Sequence, residues 1–174
     1  MKRPIIIALA CILTISSFSQ GNESERSEKH RFTFMPSHTY LRVDSENNKD
    51  WTTLASFGLN YDFWIKENMA IGLHSDVITE SFIVSRQEDE QILERERPLA
   101  LIGVFLYKLE NGLTPLVGAG IELEKEEHLA LIHFGLEYGF EIGKGWEFGA
   151  NVTYDLKLDV YNSFALGLSV SKFL

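Results

Sequence analysis

Trp146-Glu147-Phe148-Gly149-Ala150-Asn151-Val152-Thr153-Tyr154-Asp155-Leu156-Lys157 alternates without a break. Trp, Phe, Ala, Val, Tyr and Leu fall on one side; Glu, Gly, Asn, Thr, Asp and Lys fall on the other. Side chains of a strand point to opposite faces with a period of two, whereas a helix would mix these residues around its axis. The stretch before it repeats the pattern, with Ile132, Phe134, Leu136, Tyr138 and Phe140 opposite His133, Gly135, Glu137, Gly139 and Glu141. Further out, Phe57, Leu59, Tyr61 and Phe63 oppose Ser56, Gly58, Asn60 and Asp62. Extended along the chain, this reading predicts strands at 31–42, 53–65, 69–85, 95–108, 113–123, 128–142, 146–158 and 161–173. No helical period competes with it, so the fold class is all-β.

Lys66-Glu67-Asn68, Glu110-Asn111-Gly112 and Gly143-Lys144-Gly145 read as tight turns after the second, fourth and sixth strands. The links after the first and third strands, Asp44 to Asp50 and Gln87 to Glu94, read as longer and charged. Long strands in an up-and-down meander with short turns at one rim suit a closed antiparallel barrel. Eight strands enclose a space only just wide enough for side chains, so one face must be packed and the other must meet solvent or lipid.

Glycine separates a soluble ligand-binding barrel from a transmembrane one. Gly58, Gly72, Gly118, Gly120, Gly135, Gly139, Gly149 and Gly167 share the face that carries the charges. Small residues belong where strands curve inward and space is tight, so the charged face is the lumen. The bulky apolar face then points outward, where only lipid accommodates so much exposed apolar surface. The fourth strand resists assignment, because Leu99, Leu101, Phe105 and Tyr107 compete with Ala100, Ile102, Val104 and Leu106. Aromatic rings favour the membrane–water interface. Trp64, Tyr107, Phe140, Trp146 and Phe173 are expected at one rim, and Tyr40, Trp51, Phe82 and Tyr161 towards the other.

The rest of the chain fits an exported protein. With 174 residues and 45% apolar content it has the size of one domain. Met1-Lys2-Arg3, the apolar stretch Ile5 to Ile15 and the small residues Ser17 and Ser19 predict a signal peptide over 1–19, cut before Gln20. Residues 20–29 read as a flexible polar lead-in and 30–174 as the barrel. Loss of the leader removes Cys11, and loss of Lys2 and Arg3 takes the formal net charge from −9 to −11. A disulfide framework and a cysteine-built zinc site are excluded. The acidic balance argues against nucleic acid as a partner.

The face assignment predicts neighbours inside the barrel. Pairing through Gly143-Lys144-Gly145 sets His133 across from Asp155, Glu137 across from Asn151 and Glu141 near Glu147. Asn60 comes near His74, and Gly58 near Asp76. The expected lumen network is Asp62, His74, Asp76, Glu80, Glu122, His133, Glu137, Asp155 and Lys157, with Arg97 as a further counter-charge. Buried charges need partners or protons, and the simplest role for such a set is structural. His74, Asp76, His133 and Glu137 could alternatively supply metal ligands. No catalytic residue and no cofactor is assigned. Ser37-His38 puts its two side chains on opposite faces, and phosphate loops and helical metal motifs are absent.

In His30-Arg31-Phe32-Thr33-Phe34, Ala70 to Asp76, Glu94-Arg95-Glu96-Arg97-Pro98 and Tyr154-Asp155-Leu156-Lys157, the chain resembles the small eight-stranded outer-membrane barrels of Gram-negative bacteria, of the kind found in Bacteroidota. The resemblance implies location in the outer membrane, with membrane lipid and the barrel assembly machinery as partners and a monomeric state. Members of that group stabilise the envelope or act as adhesins, and a few modify lipid. Three functions therefore stay open: a structural or surface-interaction barrel with a filled polar lumen, a narrow pore, and a lipid A-modifying enzyme. The acidic runs Glu88-Asp89-Glu90 and Glu122 to Glu127 offer a surface to an extracellular partner.

Overall fold

The computed structural model describes residues 28–45, 48–85, 92–125, 127–158 and 160–174. The leader over 1–19, most of the lead-in and the acidic run 88–90 lie outside them. Ten strands are present: β1 (His30–Ser45), β2 (Asn48–Lys66), β3 (Met69–Ile78), β4 (Ser81–Ser85), β5 (Ile92–Glu96), β6 (Leu99–Tyr107), β7 (Leu113–Leu123), β8 (Leu129–Gly143), β9 (Trp146–Lys157) and β10 (Asn162–Phe173). Eight of them close an antiparallel barrel in the order β1-β2-β3-β6-β7-β8-β9-β10, and β4 and β5 form a separate two-stranded sheet. The architecture is that of a transmembrane β-barrel. Pairing of β1 with β10 closes it, from Arg31 opposite Phe173 to Leu41 opposite Ser163.

Two expected strands divide. The third (69–85) breaks after Ile78, and the fourth (95–108) breaks before Leu99. Here the chain leaves the barrel wall. Thr79 gives its backbone N–H and its hydroxyl to the Ala55 carbonyl, at 3.0 and 2.8 Å. On the return, Arg97 takes a left-handed φ of 48° and is followed by Pro98, which has no N–H to offer a ladder. Between these bends β4 and β5 pair from Ser81 opposite Glu96 to Ser85 opposite Ile92. The hairpin turns one face onto the barrel mouth, burying Phe82, Val84 and Leu93 against Leu41, Leu54, Ile78, Leu129, Val160 and Tyr161. Alternation survives throughout, because a hairpin with one covered face has the same period of two as a barrel wall. The first link differs as well: β1 and β2 continue as a ribbon to Ser45 opposite Asn48, so 44–50 is not a long loop.

All the glycines assigned to the charged face point inward, and the apolar face points out. Phe32, Leu59, Leu73 and Leu168 are each about half exposed, at 51%, 59%, 56% and 55%. The structure also settles the fourth barrel strand, β6, whose inward residues are Ala100, Ile102, Val104 and Leu106. The interior is consequently not polar throughout. Those four pack with Trp64, Ala70, Leu116, Leu131 and Phe173 as an apolar core within the barrel. Trp64 and Phe173, expected at the rim, thus point inward, while Phe82 on the hairpin and Tyr161 beneath it are buried against each other. Tyr107, Phe140, Trp146 and Trp51 remain on the outside, while half-buried Tyr40 stacks on Phe164 at 4.7 Å.

Crowding explains the glycines. A Cβ on Gly120 would stand 2.1 Å from the Leu101 carbonyl oxygen, and one on Gly118 would stand 2.5 Å from that of Gly103. Backbone on the next strand cannot swing aside as a side chain can. Gly120→Ala should therefore cost about 1–3 kcal/mol through strain. Outward Gly103→Ala, whose Cβ would find only the Ala119 carbonyl at 3.9 Å, should stay within about 0.5 kcal/mol of the parent. Urea midpoints in detergent compare the two; equal midpoints would contradict the packed lumen.

Candidate functional site

The inward side chains of β1, β2, β3, β8 and β9 assemble a polar cluster against the apolar half of the lumen. At the turn end its centre is Arg31, one residue into β1 and therefore inward. Its Nη2 lies 2.8 Å from Glu137 on β8 and 2.9 Å from Asp62 on β2, and its Nη1 lies 3.4 Å from Glu147 on β9. The guanidinium also stands 5.6 Å from the Trp64 ring centroid. Asp62, fully buried, accepts from Arg31 with one oxygen and faces His74 Nε2 at 3.0 Å with the other.

A second layer lies towards the loop end. His133 Nδ1 is 2.5 Å from Asp155 Oδ1, directly across the β8–β9 ladder. Lys157 donates to Asp155 at 3.0 Å and to Ser163 at 2.6 Å, and sits 3.8 Å from Glu122. Glu122 accepts from the Tyr161 hydroxyl at 2.7 Å and from Arg95 Nη2 at 2.7 Å. Arg95 comes from the hairpin. Fully buried, it also donates to the Glu127 carbonyl at 2.8 Å and lies 3.7 Å from Glu124. The rings of His74 and His133, 6.3 Å apart and edge to face, connect the two layers. The described lumen thus sets the carboxylates of Asp62, Asp76, Glu122, Glu124, Glu137, Glu147 and Asp155 against the fixed cations Arg31, Arg95 and Lys157.

Eight of the nine residues read from the sequence as a lumen network face the interior. Glu80 does not. It is exposed beside β2, where its carboxylate meets the Ala55 N–H at 3.4 Å, because the chain has already left the wall at Thr79. Arg97 is also outside, with a side chain 66% exposed and paired to Glu96. Its left-handed backbone turns it away, and Arg95 enters in its place. Arg31, Arg95, Tyr161 and Glu124 are not read from the sequence as lumen residues, and Glu147, expected inside near Glu141, joins the network through Arg31. Arg31 was legible, since it shares parity with the inward residues of β1; the hairpin residues carried no such signal. Among the described residues, no three His, Cys, Asp or Glu side chains converge as a metal site would require. Ser37 and His38 diverge, the serine bonding Ser56 at 2.8 Å while the histidine faces outward.

Beyond the barrel wall, Glu96 meets Lys125 at 2.7 Å in solvent. The hydrogen bond from Lys125 holds the Glu96 carboxyl below its ordinary range, and Glu96 in turn raises the lysine. Their contribution is present above the usual carboxylate pKa and disappears as pH falls through the lowered value. Exposed pairs of this kind contribute little.

Neither a protein-family profile nor any curated protein matches this sequence. Solved structures do match its fold. The attachment invasion locus protein Ail of Yersinia pestis, solved with the heparin analogue sucrose octasulfate, is 13% identical with a TM-score of 0.53 over 83% of this chain and 99% of that one. Neisserial surface protein A is 9% identical with a TM-score of 0.53 over 83% of this chain and 97% of that one.

Proposed function

We propose that the chain is a non-enzymatic, integral outer-membrane barrel with a structural or surface-interaction role, exported by the leader over 1–19. One observation carries this reading: apolar side chains cover the outside of the closed barrel while its ionisable groups pack within. Water does not tolerate that arrangement, and a bilayer requires it. Membrane lipid and the assembly machinery are the implied partners, with the barrel a monomer. The loop end is where an extracellular partner would bind. The sulfated ligand of the Yersinia protein is a polyanion, which the acidic run 88–90 would repel, whereas Glu122 and Glu124 of the other acidic run are buried against Arg95. A neutral or cationic partner fits better.

A folded outer-membrane barrel keeps its shape in cold detergent and migrates differently before and after boiling. The chain should partition with the envelope and display that shift; recovery as a soluble periplasmic protein would overturn the assignment. A pore is disfavoured because Trp64, Phe173, Ile102 and Leu106 pack across the lumen and the hairpin covers the mouth. Planar-bilayer recordings should accordingly lack discrete conductance steps. Lipid A chemistry lacks a serine beside His38 on the lipid face, so overexpression should leave the lipid A mass spectrum unchanged.

A further inference from the structure

The lumen retains a cavity of about 20 Å³, room for one water-sized occupant. Ser37, Thr39, Ser56, Asp76, Asp155 and Lys157 contribute to its lining. Asp155 is engaged by His133 and Lys157. Asp76 differs from it. Among the described residues, no donor lies within hydrogen-bond or ion-pair distance of its carboxylate. That carboxylate rests over Gly58, directly across the β2–β3 ladder, where a Cβ would come within 2.7 Å of Oδ1. Beside it, Ser56 Oγ links Ser37 at 2.8 Å and Thr39 at 2.7 Å. Three hydroxyls joined by two hydrogen bonds keep acceptor lone pairs free. The Asp155 and Glu122 carboxylates and the Lys157 ammonium line the same space, but they are already paired with one another or with His133, Arg95 and Tyr161. That leaves Asp76 and the hydroxyl oxygens as hard donors with no cation of their own among the described residues. The lumen as a whole also has more carboxylates than fixed cations.

We propose that this cavity binds a small monovalent cation of about sodium's size, with Asp76 as the charged ligand and the Ser37–Ser56–Thr39 hydroxyls completing the oxygen shell. Asp155 and Glu122 also line the space but are balanced by His133, Lys157 and Arg95, so Asp76 leaves one negative charge to balance, which suits a monovalent rather than a divalent ion. The proposal does not depend on where the barrel resides, because the cavity is internal.

The experiment uses the full folded barrel in detergent. Its urea midpoint is measured in sodium chloride and in N-methylglucamine chloride at equal ionic strength, which separates site occupancy from screening. At 100 times the dissociation constant, a site present only in the folded state multiplies the folding constant about 100-fold. A clear sodium-specific rise in midpoint is expected for the parent and its loss in Asp76→Asn, which keeps the side-chain shape. Ser56→Ala, which deletes the central hydroxyl, should weaken the sodium response and serves if Asp76→Asn does not fold. Equal responses to both salts in the parent, or an undiminished sodium response in either variant, would overturn the site. In those cases the carboxylate is neutralised by a proton or solvated by water.

Discussion

Arg31→Met should lower the stability of the barrel by about 3–5 kcal/mol, the cost of removing one partner from a buried ion pair. The upper end is expected, because Asp62, Glu137 and Glu147 all share this guanidinium. Methionine keeps much of the side chain's length and packing on Trp64, so the lost charge dominates. Arg31→Lys should fall between, since an ammonium is a point charge that cannot match a planar fork across three strands. Urea unfolding in detergent, followed by tryptophan fluorescence and by the folded band on gels, measures both. A loss below about 1 kcal/mol for the methionine variant would mean that the three carboxylates do not carry their charges.

The second large effect concerns the hairpin. Arg95→Ala should destabilise by about 3 kcal/mol, since Glu122 would lose its guanidinium and keep only Tyr161 and the more distant Lys157. The damage should also be local. Phe82, Val84 and Leu93 would be held over the mouth by apolar contact and the exposed Glu96–Lys125 pair, and limited proteolysis should cut the hairpin well before the barrel wall. Glu96→Gln, one residue along and facing solvent, should leave both the unfolding midpoint and the cleavage rate near parental values. Unchanged hairpin cleavage in the alanine variant would show that Arg95 does not fasten it.

These two arginines mark the boundary of what could be read in advance. The registers of His133 with Asp155 and of Asn60 with His74 follow from counting back through a turn, because cross-strand partners are local. Gly143, Lys144 and Gly145 adopt φ values of 107°, 53° and 70°, so the turn that fixes one of those registers is written in its glycines. Arg31 faces inward by the same parity rule. Its partners Glu137 and Glu147 are reached through space from distant positions in the chain, and parity gives a side chain's face without its height or reach.

The sequence alone determined the eight wall strands in outline, the turns at one rim and the inside and outside of most of the wall, because a period of two acts at every residue and lipid and packed lumen demand opposite chemistries. It also determined where the lumen is tight, through glycines whose replacement would strike the neighbouring strand. Only the tertiary structure decided that residues 81–96 leave the wall to cover the mouth, since a covered hairpin and a barrel strand bury alternate residues alike. It likewise decided which cation meets which acid. Those pairings depend on distances across a curved, closed interior, and no local pattern along the chain encodes them.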